Sequence, residues 1–178
     1  MEVARTYEPS NNFLQKIRNY TSKKNIILIF DECTTGFREY YGGLYKKYKV
    51  IPDMVVFGKA IGNGYPITAV IGKKEIMKNA SQTFMSSTFW SERIGPTAAI
   101  ATLDEMKRIK SWDIVTNKGK AIKERWKKLF KKYEIDANVW GLNAIIGFNF
   151  NSDNNLKYKS LITYELLKNK ILATNALY

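Results

Sequence analysis

The chain contains no histidine and a single cysteine, Cys33. Without histidine there is no Ser-His or Cys-His catalytic pairing, no Cys2His2 finger and none of the common zinc centres. One cysteine excludes an internal disulfide framework and fits a reducing compartment. No apolar run approaches the ~18 residues a transmembrane helix needs. The start, Met1-Glu2-Val3-Ala4-Arg5, lacks the apolar core of a signal peptide. A soluble, cytoplasmic protein is expected. Acidic residues are the minority: 16 against 29 lysines and arginines leave a net charge of +13. The excess is mostly lysine, spread along the chain and densest from Lys118 to Lys132, where it reads as one exposed helix face. No RNP-like motif accompanies it. Scattered lysine is the pattern of a solvated surface, so neither nucleic acid nor membrane is an expected partner. A basic nucleic-acid-binding protein stays open as an alternative.

What is present suffices for a core: 178 residues, 45% of them hydrophobic, make one domain or one domain plus part of another. Glu2 to Tyr7 reads as a short strand, and Phe13 to Ser22 as a helix after a turn-rich stretch. Asn25 to Phe30 holds a continuous apolar run, the mark of a strand covered on both faces. A glycine-rich loop from Thr34 to Gly43, a helical turn from Leu44 to Tyr48 and a second strand from Met54 to Phe57 follow. Gly62 to Pro66 is a turn, with Gly62 and Gly64 expected at positive φ. Ile67 to Ile71 is a third strand and Lys73 to Asn79 a short helix. Ile94 to Lys110 is a helix with Ile94, Ala98, Ala101 and Met106 inward and Ala99 and Leu103 broadening the apolar face. Trp112 to Tyr133 is another, burying Ile114, Ile122, Trp126, Leu129 and Phe130. Val139 to Phe150 is expected as one strand of a second sheet, and Leu156 to Lys168 as a last helix. Strand–helix–strand order up to Ile71 implies an α/β architecture with a parallel component.

Two apolar runs end in chemistry-bearing residues. Phe30 is followed by Asp31-Glu32, and Phe57 by Gly58-Lys59. An acidic residue at one strand end and a lysine at the next suit pyridoxal phosphate (PLP). The lysine amine forms a Schiff base with that cofactor's aldehyde, and the carboxylate keeps the pyridine nitrogen protonated so that the ring takes up electrons. Taken singly, Asp31 reads as a turn or cap residue, Lys59 as a surface lysine and Thr88 as an ordinary capping threonine. Glu32 alone reads as part of a buried ion pair, and Cys33 as a small core residue.

The order of motifs decides among these readings. Ile27-Leu28-Ile29-Phe30-Asp31-Glu32-Cys33-Thr34-Thr35-Gly36-Phe37-Arg38, then Pro52-Asp53, then Gly58-Lys59-Ala60-Ile61-Gly62-Asn63-Gly64-Tyr65-Pro66, resembles the signature of class III PLP-dependent aminotransferases. Thr35-Gly36-Phe37-Arg38 with Gly42-Gly43 is similar to the glutamate-1-semialdehyde 2,1-aminomutase branch. The resemblance is good over roughly residues 1–105 and looser beyond.

It implies part of the PLP-dependent transferase type I large domain, with a mostly parallel sheet, over residues 1–110. Residues 111–178 would then be a linking helix and an incomplete α+β small C-terminal domain. By the same resemblance Asp31 is the pyridine-nitrogen partner and Lys59 the Schiff-base lysine, with Thr88 reaching the cofactor phosphate of a neighbouring subunit. Glu32 belongs with the cofactor-binding group through local hydrogen bonding, and Arg38 is a structural or substrate-side arginine. The implied enzyme is a homodimer acting on an amino/keto, semialdehyde-type substrate. The family's phosphate loop and its ring-stacking aromatic lie upstream of the aspartate strand, so neither is expected in this chain. The expectation is a piece of a longer enzyme, inactive alone. A truncated non-catalytic remnant or interaction module is the alternative.

Overall fold

The structure is a computed structural model, and it describes residues 7–84 and 88–177. The strand expected from Glu2 to Tyr7 therefore lies, except for Tyr7, outside the described residues. Contacts divide the described residues into two units, one from Pro9 to Trp112 and the other from Asp113 onward, the second joined by Tyr7 and Glu8.

In the first unit, α1 (Phe13–Lys23) buries Leu14 and Thr21 and half-buries Ile17 and Arg18. These positions are three, four and seven apart, one face of a helix. Three short strands follow: β1 (Ile29–Glu32), β2 (Met54–Phe57) and β3 (Ala69–Gly72). β1 and β2 pair in parallel, with Asp31 opposite Val56, and β3 runs antiparallel to β2. Between β1 and β2 lies a single helical turn, α2 (Tyr45–Tyr48). After β3 come α3 (Lys74–Met77) and a 3-10 turn (Lys78–Gln82), then α4 (Ile94–Ile109). The core centres on Val55, Phe57 and Ile61, with Phe37, Ile67 and Leu103 packed against it. α4 turns Gly95, Ala99, Leu103 and Met106 inward; Ile94 and Ala101, expected inside, are exposed.

β1 begins later than the apolar run implies. The Ile26 N–H closes the end of α1 on the Thr21 carbonyl (2.8 Å), and the Leu28 N–H donates to the Asp53 carboxylate (2.8 Å). These backbone groups are spent before a ladder can form, and Ile26 and Ile27 stay about half exposed. Asp53 is the junction of this end of the sheet. It is buried, and besides Leu28 N–H it accepts from Arg18 of α1 (2.8 Å) and pairs with Lys73 (2.7 Å) just before α3. Burial pushes its carboxyl up, but the Leu28 N–H, the Lys73 ammonium and the Arg18 guanidinium outweigh this and bring it down to about 2.

The second unit packs α5 (Ser111–Lys132), of which Ser111 and Trp112 belong to the first unit, with an antiparallel sheet. Its strands are β4 (Ala137–Leu142), β5 (Ile145–Phe150) and β6 (Ala176–Leu177), with α6 (Asn155–Lys168) between the last two. The single strand expected from Val139 to Phe150 is instead a hairpin turning at Asn143-Ala144, since Leu142 pairs with Ile145. Gly141, at φ +94°, and Asn143 are the local turn signals that a loose alternation obscures. β5 is central and buries Ile145, Ile146 and Phe148. Phe148 makes edge contacts with Trp126 (5.0 Å) and Phe130 (5.2 Å) of α5. Ile122, Trp126 and Phe130 form the inner stripe; Ile114 and Leu129, expected inside, are exposed. The hairpin turn rests on α5 at Gly119, where a Cβ would collide with the Asn143 carbonyl oxygen. Among the described residues no helix is long and apolar enough to cross a membrane.

Asp53 has a depressed folded-state pKa, so its contribution to stability is present above the unfolded value near 3.8 and is lost as pH falls toward about 2. Asp53→Asn is expected to cost about 2 kcal/mol at neutral pH and to flatten the acid limb of stability in that window, read by urea melts across pH. Gly119→Ala, which must displace backbone at the hairpin turn, is expected to cost about 1–3 kcal/mol in the same melts.

Candidate active site

Asp31 and Lys59 lie at the carboxyl ends of adjacent parallel strands, the edge where open α/β sheets hold ligands. Alternation along β1 buries Phe30 and Glu32 and exposes Ile29 and Asp31. Consecutive strand residues face opposite ways, so Asp31 and Glu32 serve different surroundings.

Glu32 is fully buried. Its carboxylate accepts from the Leu44 N–H, the Tyr45 N–H (2.8 Å) and the Thr35 hydroxyl (3.0 Å). Gly43 makes this approach possible: a Cβ there would stand 2.8 Å from Glu32 Oε1 and also meet the Tyr45 ring. Burial drives the Glu32 carboxyl above its usual range, and the three donors partly offset it. Glu32 therefore closes the loop from 34 to 45 onto β1. It is not brought to the face that carries Asp31.

Asp31 is exposed, and the Cys33 N–H donates to its Oδ1 (3.0 Å). The Cys33 N–H and thiol hold the Asp31 carboxyl below the usual range, and the Lys59 charge acts in the same direction. Cys33 itself is half-buried beside Gly58, where a Cβ would sit 3.4 Å from its Sγ. Lys59 opens a 3-10 turn (Lys59–Ile61) at φ +44°. That left-handed conformation costs a residue bearing a Cβ about 1 kcal/mol. It is held by the Gly62 N–H on the Lys59 carbonyl (3.1 Å) and by burial of Ile61. The Lys59 amine donates to the Thr34 hydroxyl oxygen (2.7 Å), and Thr34 is buried.

Lys59 also lines an open cavity of about 550 Å³ with Arg38, Asn63, Tyr65 and Met106. This places Arg38 on the lysine side of the sheet edge. In the turn beyond Lys59, Gly64 has positive φ (+96°) as expected, but Gly62 does not (−86°). Gly62 is required by space instead, because a Cβ would strike the Tyr65 carbonyl.

Thr88 lies in an exposed turn with Phe89 and Trp90, outside the lining of that cavity. The two aromatics are 50% and 66% exposed. Glu92 caps α4: its carboxylate accepts from the Ile94 and Gly95 N–H groups (2.7 and 3.0 Å), satisfying donors of the first turn. Among the described residues no cluster of three or more Cys, Asp or Glu could hold a metal ion. Sequence reasoning missed Thr34, Leu44 and Tyr45 as partners of the site; the first is an ordinary turn residue, and the others act through backbone.

A parallel strand pair, within this α/β unit, thus ends in a carboxylate and a lysine at one sheet edge. The chain belongs to the class-III aminotransferase family, whose model matches residues 5–175. It is 35% identical over 156 residues to a 3-aminobutyryl-CoA aminotransferase of Cloacimonas acidaminovorans, covering 87% of this chain and 38% of that protein. It is 34% identical to a glutamate-1-semialdehyde 2,1-aminomutase of Methanococcus maripaludis, over 88% of this chain and 36% of the relative. The fold is that of the FumI protein of Sphingopyxis sp. MTA144, solved in its PLP internal aldimine form. Their TM-score is 0.89 at 19% identity, over 99% of this chain and 44% of that one. The chain thus spans about two fifths of the length of the proteins it matches.

Glu32→Gln places an amide NH2 against backbone donors. It is expected to lower unfolding stability by about 2 kcal/mol while leaving the Asp31 face intact, measured by chemical denaturation.

Proposed function

We propose that the protein carrying this chain is a PLP-dependent aminotransferase or aminomutase acting on a small amino/keto substrate of semialdehyde type. The observation that carries this reading is the placement of the Asp31 carboxylate and the Lys59 amine at the ends of two hydrogen-bonded parallel strands, each with a fixed polar partner. Family membership and the two curated relatives support the same class of reaction.

The residues present fit the cofactor. Asp31 is exposed and held in its ionised form, suited to accept from a protonated pyridine nitrogen. Lys59 offers a primary amine at the rim of an open cavity. When bound, PLP supplies an aldehyde for the lysine and an electron sink for the substrate carbon. Lys59 would tether it and, with the amine freed, hold and return a substrate proton at Nζ. Asp31 would keep the proton on the ring nitrogen. Thr88, exposed in its turn, would reach the phosphate group of a neighbouring subunit's cofactor, which requires a homodimer. Glu32 would act at one remove, by fixing the loop from 34 to 45. Residues 1–110 would be part of the cofactor-binding large domain and 111–178 a linking helix and part of the small one, in a cytoplasmic enzyme.

Lys59→Ala in the protein is expected to lower turnover by about a thousandfold or more and to abolish the visible absorbance of lysine-bound cofactor. Unchanged turnover in that variant would overturn the reading. Following the amino group with isotope-labelled substrate separates intramolecular transfer, the mutase outcome, from transfer to an added keto acid.

A further inference from the structure

Three consecutive residues of the turn after β1 each hold one side chain of the site. The Cys33 N–H donates to Asp31, the Thr34 hydroxyl oxygen accepts from Lys59, and the Thr35 hydroxyl donates to Glu32. The first and third contacts are local to β1. The second is different: it joins β1's turn to a residue 25 positions away, on the segment after β2. Thr34 is buried at 4% exposure while Lys59 is exposed, so the fixed member of the pair is the threonine. A four-carbon side chain with a charged head otherwise spreads over many rotamers in water. A hydrogen bond to an ionised donor at 2.7 Å selects among them.

We propose that Thr34 is a positioning residue for the Lys59 amine: its buried hydroxyl oxygen fixes where Nζ stands at the sheet edge whenever that amine is free. This rests on the reading of Lys59 as the cofactor lysine. Among the described residues Lys59 is held by a neutral oxygen rather than by a carboxylate, so it is oriented without being locked in a direct ion pair with Asp31. A hydroxyl is small enough to remain in place when the amine leaves it, and it can receive the amine again.

The test uses the protein freed of cofactor, treated briefly with PLP and reduced with borohydride. Peptide mass mapping then gives the label at Lys59 relative to the other lysines. Thr34→Val keeps the shape and removes the acceptor; Thr34→Ser keeps the acceptor. The expected result is a drop of about tenfold in Lys59 selectivity for Thr34→Val and near-native selectivity for Thr34→Ser, with both variants melting close to the parent. Native selectivity in Thr34→Val overturns the proposal, as does an equal loss in both variants, which would point to packing rather than to the hydroxyl. Absence of Lys59 labelling in the unaltered protein is a separate outcome. It refutes the reading of Lys59 itself, and the role of Thr34 with it.

Discussion

Adjacent residues of a β-strand project to opposite faces, so Asp31 and Glu32 cannot share an environment. One of two neighbouring carboxylates must go inward, and a buried carboxylate is tolerated only with its oxygens saturated. The loop from 34 to 45 meets that demand. It doubles back so that Leu44 and Tyr45 present N–H groups and Thr35 its hydroxyl to Glu32, with Gly43 leaving the room. Once Glu32 is anchored, a slip of β1 by one residue would bury Asp31 without donors and strand those that serve Glu32. The register of the strand, and with it the outward aim of Asp31, follows from the inward partner.

A second carboxylate acts at the opposite end of the same sheet. Asp53 gathers α1, the start of β1 and the approach to α3 through Arg18, Leu28 N–H and Lys73. Strands of four residues offer little area for hydrophobic cohesion. Polar clamps at both ends of β1 and β2 fix the pairing that the small core around Val55 and Phe57 alone would leave loose. Because each donor to Asp53 comes from a different element, the interaction specifies arrangement as well as stability.

Much of this was legible in the sequence. The apolar runs marked β1 and β2, and the residues closing them marked Asp31 and Lys59. The two longest helices came from a 3.6-residue period, and all the helices fell within a residue or two of their observed ends. The hairpin of the second unit was missed because Val139 to Phe150 is apolar almost throughout and alternates only loosely, so Gly141 and Asn143 look minor within it. Ile26 and Ile27 misled for a related reason. Their hydrophobicity promised a longer strand, but the N–H groups of Ile26 and Leu28 answer to Thr21 and Asp53. Partners that act through backbone, such as Leu44 and Tyr45, leave no compositional trace at all. The division of labour between Asp31 and Glu32 could have been read from the pleat alone, since a period of two places them apart whatever the family.

The turn from Cys33 to Thr35 shows how a site can be oriented without being neutralised. A direct pairing of Lys59 with Asp31 would gain Coulombic energy but occupy both groups, and any incoming ligand would first have to break it. Among the described residues the amine instead rests on a hydroxyl, and a backbone N–H supports the carboxylate. Both groups lie at an exposed sheet edge, which is what permits exchange. The left-handed backbone at Lys59 points the same way. The chain accepts a local cost of about 1 kcal/mol to direct this side chain along the sheet edge. Flanking order, set by Ile61 in the core and by Glu32 under the loop, is sufficient to sustain it.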